Sequence, residues 1–471
     1  MTLVPPQDAL FLIGESRENP THVTALQILR PPEDRREPWL EDFHAALVDP
    51  TDVKSAFTRR PVRSWSTAGA WSWEPDDDLD VAAHVRRTAL PGPRRVRELL
   101  EHVSALHARL LDRSRPLWEA EMVTGLADGR VALVTKMHHS LFDGITLSRH
   151  IVSGLSFDPE ARGCRPPWRR PVGRSSSSSS SDGGGEGGTK SSPVAPLARV
   201  GDLISGAAGM VGGVVGGLPA LGKALAQVAT GDIGVAFAAP HTRLNARLSG
   251  QRRFAGDGWA HDRLAAVAER AGATVNDVGL AMCSGALRAY LDELGELPGT
   301  SLVAMVPVSL RGTDTSAAAT QGNSWGSVYC VLGTDLADPA ARLAQVQASM
   351  SQGKAALRAL DPTTSVALNV ATMGLAALPT FRLLPQTPRP VVNLIISNVP
   401  STEVPQYFDG AEVTDNYPVS MVSDGQALNI TLLRYADRMA FGLTGCPKAV
   451  PHLQRLLGHL DTALAQLERS V

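Results

Sequence analysis

Apolar positions recur with two different spacings in the first part of this chain. Val96, Leu99, Leu100, Val103, Leu106 and Leu110 stand three or four residues apart, which places them on one face of a helix bounded by the Pro91–Gly92–Pro93 turn. Val131, Leu133, Thr135 and Met137 then alternate, the period of a strand. Further along, Thr274-Val275-Asn276-Asp277 spells a capping box opening the helix NDVGLAMCSGALRAYL. Strands are predicted at LVAMVPV (302–308), SVYCVL (327–332), VVNLIIS (391–397) and ALNITLL (427–433). Helices are expected over about 338–358 and 448–469. Helices and strands interleave in both halves, so the expected class is α/β in two lobes.

Between the halves the pattern breaks. SSSSSSSDGGGEGG, from Ser175 to Gly188, has nothing with which to build a core. A Pro- and Arg-rich stretch (165–174) leads into it, and a Gly/Ala-rich stretch follows as far as Pro240. The expected division is a first lobe over 1–164, a linker and amphipathic crossover over 165–243, and a second lobe over 244–471. Leu203 to Gly222 carries no charge, but seven of its twenty residues are glycine and Pro219 interrupts it. It is too weakly apolar to be expected to span a bilayer. The segment 194–235, which contains Arg199 and Lys223, suits either a membrane interface or a packed crossover.

The 471 residues are long enough for two domains, and 45 basic against 47 acidic residues leave a net charge of −2, which argues against a nucleic-acid partner. Four separated cysteines form no CxxC or Cys/His cluster. Neither a disulfide framework nor a metal site is expected, and a reducing cytoplasm fits. The N-terminus lacks the basic-then-apolar pattern of a signal peptide.

Chemistry concentrates directly after the alternating run, at His138-His139-Ser140-Leu141-Phe142-Asp143-Gly144. Successive strand side chains point to opposite faces, so one histidine can reach a cleft while the other packs or hydrogen-bonds. A rigid strand behind the imidazole and a tight turn at Gly144 suit a positioned general base. Asp143 can hold the loop or pair with a cation.

HHxxxDG is the signature of the CoA-dependent acyltransferase superfamily, and the flanks resemble the bacterial wax ester synthase/acyl-CoA:diacylglycerol acyltransferase family. DALFLIGESRENPTHV (8–23), Pro116-Leu117-Trp118, Asn276-Asp277, VPVSLRG (306–312), NLIISNVP (393–400) and ALNITLL carry the resemblance along nearly the whole chain. It implies two chloramphenicol-acetyltransferase-like lobes, each a mixed sheet with helices, joined by a crossover linker, with the histidine in a channel between them. It further implies that His139 takes the proton of an acceptor hydroxyl as the oxygen attacks an acyl-CoA thioester, without an acyl-enzyme. Acyl-CoA is then a substrate and no cofactor is needed. Diacylglycerol or a long-chain alcohol is the acceptor, met at the inner membrane face or a lipid-droplet surface. Asp143 is expected to serve structurally, in an ion pair for which Arg311 is the favoured partner, with Arg115 and Arg149 as alternatives. The resemblance flags Pro116, Leu117, Trp118, Asn276 and Asp277 as substrate-binding. Core packing is the stronger reading for Trp118 and helix capping for the Asn-Asp pair.

Two rivals come from other classes. Gly322-Asn-Ser324-Trp-Gly326 spells the nucleophile elbow of serine esterases, with Asp424 and His452 following in the required order. That elbow needs a strand before the serine and a helix after it, whereas a small-residue loop precedes this serine and a β-rich run follows. A catalytically idle, condensation-like lipid-binding module is the other rival, and intact histidines count against it.

Overall fold

A computed structural model describes residues 2–67, 69–142, 144–170, 239–309, 325–359 and 390–471. The Ser/Gly run and the amphipathic stretch over 194–235 lie outside them. In chain order the first half contains β1 (Thr2–Leu3), α1 (Pro6–Gly14), β2 (His22–Arg30), α2 (Arg36–Val48), β3 (Arg59–Arg63) and β4 (Trp71–Pro75). There follow α3 (Val81–His84), β5 (Val85–Ala89), α4 (Val96–Ala108), β6 (Trp118–Thr124), β7 (Val131–His138) and α5 (Gly144–Ser153). The second half contains β8 (Arg253–Ala260), α6 (His261–Ala271), α7 (Val275–Glu293), β9 (Val303–Ser309), β10 (Trp325–Val331) and α8 (Pro339–Ala359). It ends with β11 (Leu394–Val399), β12 (Tyr407–Phe408), β13 (Ala411–Val419), β14 (Leu428–Tyr435), β15 (Arg438–Gly445) and α9 (Arg455–Ser470).

The two-lobed α/β class is what the chain adopts. One mixed sheet has the order β12-β13-β2-β7-β6-β5, the other β10-β9-β11-β14-β15-β8, and a small sheet β1-β4-β3 flanks the first. The alternating run forms β7 with its two faces in different cores. Val131, Leu133 and Met137 pack with Trp39, Phe43 and Leu147, while Ala132 and Val134 meet Leu99, Val103 and Leu106 of α4. The helical stripe read from the sequence is therefore the face of α4 that covers the sheet, except for Leu110, which lies beyond the helix and is exposed.

Two boundaries need correction. Strands β12 and β13, inside the expected second lobe, belong to the first sheet, where β13 pairs antiparallel with β2 from Arg30 to Thr24. Periodicity shows that a strand has a buried face but not which sheet supplies the partner, and β2 would otherwise present a bare edge. Residues 165–170, assigned to the linker, are held in the first lobe. Trp168 is fully buried, stacks on Trp118 at 4.9 Å and donates its indole N–H to the Leu47 carbonyl at 3.2 Å. An aromatic of that size outweighs the loop-forming prolines beside it.

The lobes are joined by packing as well as by β13. Phe254 of β8 sits in the same cluster as Leu99, Val103 and Tyr417, and its backbone N–H donates to Ser104 Oγ of α4 at 2.8 Å. At Gly442 of β15 a Cβ would collide with the Pro418 carbonyl oxygen of β13, so close approach of the two sheets requires glycine there. Among the described residues, no helix is long and apolar enough to cross a membrane.

Candidate active site

Strand β7 ends at His138, paired opposite His22 of β2, and the chain then turns into α5. The two histidines of the motif have different surroundings. His138 is fully buried. The Ser140 backbone N–H donates to its Nδ1 at 3.1 Å, and the Ser140 hydroxyl lies 2.6 Å from the same atom. Nδ1 therefore accepts and Nε2 keeps the proton, donating it to Thr21 Oγ1 at 2.9 Å. The Thr21 hydroxyl in turn donates to the Phe11 carbonyl at 3.0 Å. Every polar atom of this imidazole is engaged in holding the loop.

His139 is only partly buried. Its backbone N–H donates to the Thr21 carbonyl at 2.9 Å, and its ring lies on Phe11 with centroids 4.2 Å apart and 22° between the planes. Thr21 thus fixes both histidines, one through its side chain and one through its main chain.

Behind this pair lies a buried ionic support. Glu15 stands 3.5 Å from His138 Nε2 and receives two hydrogen bonds from Arg113, at 2.9 and 3.0 Å. Burial alone would raise the Glu15 carboxyl, but His138 and Arg113 outweigh it and hold the group below its ordinary range. On the same face as His138, Lys136 is wholly buried against the Leu106 and Arg109 carbonyls and Glu119. His107 donates Nε2–H to the Ser420 carbonyl and accepts from Thr24, and His22 donates to the His107 carbonyl. Burial, reinforced by the Lys136 charge, depresses His107 to about 3 and His22 well below its usual value. These imidazoles stay neutral and structural.

The motif lies at the seam between lobes. A Cβ on Gly144 would sit 3.8 Å from Val399 of β11, and Ser148 of α5 donates to the Pro400 carbonyl at 3.0 Å. One residue before Val399, Asn398 donates its side-chain amide to Asn276 Oδ1 at 3.2 Å, which brings the start of α7 toward the same seam. Asp277 is engaged otherwise. Thr274 N–H and Oγ1 both donate to its Oδ2, at 3.0 and 2.7 Å, forming the expected capping box.

Pro116, Leu117 and Trp118 are buried, which fits the packing reading of this run. Trp118 stacks on His84 at 4.5 Å and donates to the Phe57 carbonyl at 2.9 Å, while the Leu117 carbonyl accepts from His138 N–H at 3.0 Å. The Pro-Leu-Trp run positions the motif strand from inside the core. Asp143 and Arg311 lie outside the described residues. Arg149 is exposed, and Arg115 faces Asp112 at 3.9 Å.

Glu15, Thr21, Phe11 and Arg113 had no assigned roles in the sequence, although the first three fall in its N-terminal block of resemblance. The helix that the esterase elbow needs after its serine is not there. Ser324 is outside the described residues, but strand β10 rather than a helix starts immediately after it. Asp424 is fully buried and accepts from Leu248 N–H at 2.6 Å, while His452 is exposed at a turn. No group of His, Cys, Asp and Glu suited to a metal ion occurs among the described residues.

Two mixed-sheet lobes meeting at an HHxxxDG loop are the arrangement that the acyltransferase resemblance implied. The chain belongs to the wax ester synthase/diacylglycerol acyltransferase family: residues 4–279 match its catalytic domain and residues 321–468 its C-terminal domain. It is 43% identical over 475 residues to the probable diacylglycerol O-acyltransferase tgs2 of Mycobacterium tuberculosis, covering 100% of both chains. A putative diacylglycerol O-acyltransferase of the same organism is 42% identical over 467 residues, with 99% of each chain covered. Among solved structures, the wax ester synthase/diacylglycerol acyltransferase of Marinobacter aquaeolei VT8 aligns with a TM-score of 0.77 at 34% identity, over 100% of this chain and 99% of that one. The first condensation domain of the CDA synthetase shares the fold, with a TM-score of 0.58 at 16% identity over 100% of this chain and 96% of that one.

Proposed function

We propose that this chain transfers an acyl group from acyl-CoA to the free hydroxyl of diacylglycerol, forming triacylglycerol and CoA, with His139 as the base. The observation that carries this reading is the division of labour between the two histidines. His138 has both ring nitrogens committed to the loop, whereas the partly exposed His139 is oriented at the lobe seam by Thr21 and Phe11. An alcohol does not ionise at neutral pH, so its proton must move to the imidazole as the oxygen attacks the thioester carbon. When the carbon–sulfur bond breaks, the imidazolium returns that proton to the departing thiolate. Both substrates are held together and no acyl-enzyme forms, so orientation supplies much of the rate. No cofactor enters this scheme.

In the same reading Asp143 is structural and pairs with Arg311. The exposure of Arg149 and the Asp112 contact of Arg115 support that choice over the alternatives. Asn276 is the residue of the Asn-Asp pair best placed to serve substrate. The enzyme works in the cytoplasm and visits the inner membrane face or a lipid droplet, where diacylglycerol resides. The test is labelled acyl-CoA with diacylglycerol and a long-chain alcohol as alternative acceptors. Labelled triacylglycerol supports the proposal; ester from the alcohol alone makes the chain a wax ester synthase, and free fatty acid alone makes it a hydrolase.

A further inference from the structure

Seven large apolar side chains are markedly exposed among the described residues, and five of them surround one small subdomain. They are Leu3, Leu10, Ile13, Trp65 and Leu110, of which Trp65 is 100% exposed. Beneath them Val4, Leu12, Trp73, Leu111 and Leu117 form a separate buried cluster. Helix α1 is two-sided. Leu10 and Ile13, three apart, face outward, whereas Leu12 is buried and Phe11 lies on His139. Trp65 stands at the turn joining β3 and β4, beside the Arg63–Trp71 end of that hairpin. Leu3 is next to it, because β1 pairs with β4 at Ser72 and Val4 N–H donates to the Trp71 carbonyl.

Basic residues rim the same face. Arg63 and Arg113 both lie over the Trp71 ring at 5.5 Å, and Arg60 donates to the Ser114 carbonyl, which brings Arg59–Arg63 against the segment 109–115. Arg63, Arg109 and Arg115 are exposed there. A fully exposed tryptophan among aliphatics, ringed by arginine, has the amphipathic make-up of a surface that enters a headgroup layer.

We propose that α1, β1 and the β3–β4 hairpin form the surface by which this chain docks on an anionic lipid layer, with Trp65, Leu10 and Ile13 entering it. The idea deepens the diacylglycerol reading and rests on it. The inner side of the docking helix supplies Phe11 to the catalytic imidazole, so docking sets the active site at the lipid surface, where a diacylglycerol hydroxyl is presented. The occupant is a lipid surface because Arg63 and Arg109 put exposed cations on the rim, whereas Arg60, Arg113 and Arg115 are partnered by Glu74, Glu15 and Asp112, and because the apolar set is discontinuous. A second copy of this chain would meet its own arginines.

The experiment uses the full chain, with Trp65→Ser and Leu10→Ser/Ile13→Ser as independent variants. Binding is read by flotation with phosphatidylglycerol vesicles containing diacylglycerol, and thermal unfolding checks the fold. Activity is read on vesicle diacylglycerol and on a short-chain alcohol dissolved in water. At least tenfold weaker vesicle binding is expected for each variant, with a matching loss on vesicle diacylglycerol and rates on the soluble alcohol within twofold of the parent. Binding should also weaken in high salt. Parent-like vesicle binding by both folded variants overturns the proposal, as does a dimer that the substitutions dissolve without changing flotation. If the parent acylates no diacylglycerol yet its flotation depends on these residues, the docking surface stands and the acceptor assignment falls.

Discussion

Phe11 lies nearly face to face with His139, 4.2 Å between ring centroids and 22° between their planes. An aromatic plane against the imidazole restricts the ring to rotations within that plane, which helps to keep a base aimed. The contact joins an N-terminal helix to a loop more than a hundred residues later in the chain. Phe11→Ala is expected to lower kcat by about tenfold with acyl-CoA KM within about twofold, since misorientation of a catalytic group acts on the chemical step. Phe11→Tyr should restore most of the rate. A raised KM at unchanged kcat would instead make Phe11 part of a binding wall.

The two histidines should fail in different ways. His139→Ala is expected to cut turnover by roughly 10²–10⁴ with little change in thermal unfolding, the usual contribution of a positioned acid–base group. His138→Ala removes a buried ring bonded to Thr21 and Ser140, so its main effect is a lowered Tm. Near-normal turnover in folded His139→Ala would falsify the proposed base.

Glu15 is a buried carboxylate whose charge is matched by Arg113. Glu15→Gln leaves the guanidinium without its counter-charge. Because Arg113 is about one-third exposed, the cost should fall below the 3–5 kcal/mol of a fully buried pair, at about 1–3 kcal/mol. Urea unfolding measures it. The double variant Glu15→Gln/Arg113→Met should cost less than the two single losses added together.

Acid should unfold this protein early. His107 and His22 are both depressed below the unfolded value, so as pH falls below about 6.5 the unfolded chain takes up protons that the folded chain refuses. Stability is therefore present above that pH and is lost as pH falls, for His107 down to about 3 at about 1.4 kcal/mol per pH unit, with His22 adding in the same direction. Urea midpoints at pH 7 and pH 5 measure the slope. His107→Asn keeps an acceptor for Thr24 while removing the titrating ring, and should make that slope shallower; an unchanged slope would remove His107 from the account.

For Asp143 and Arg311, each alanine variant is expected to lose both stability and activity, and the pair together less than the sum. Strict additivity in unfolding measurements would separate the two residues.

Local pattern determined a good deal about this protein. The α4 stripe, the two-faced β7, the capping box at Thr274 and Asp277, and the HHxxxDG loop are each written within a few turns of chain, because periodicity and capping depend on near neighbours. The difference between His138 and His139 was also legible as an alternation, though not which of them would be buried. Tertiary structure alone decided who supports the site. Thr21 reaches His138 across 117 residues and Arg113 reaches Glu15 across 98, and no short-range rule links such positions. It likewise placed β13 beside β2, since an apolar strand satisfies either sheet equally until its edge partners are in place. Trp118 shows the same division. Its motif was visible, but only the stacked Trp168 and His84 show what it packs against. Sequence sets what each segment can bury; which surfaces meet is fixed only when the whole chain competes for the same cores.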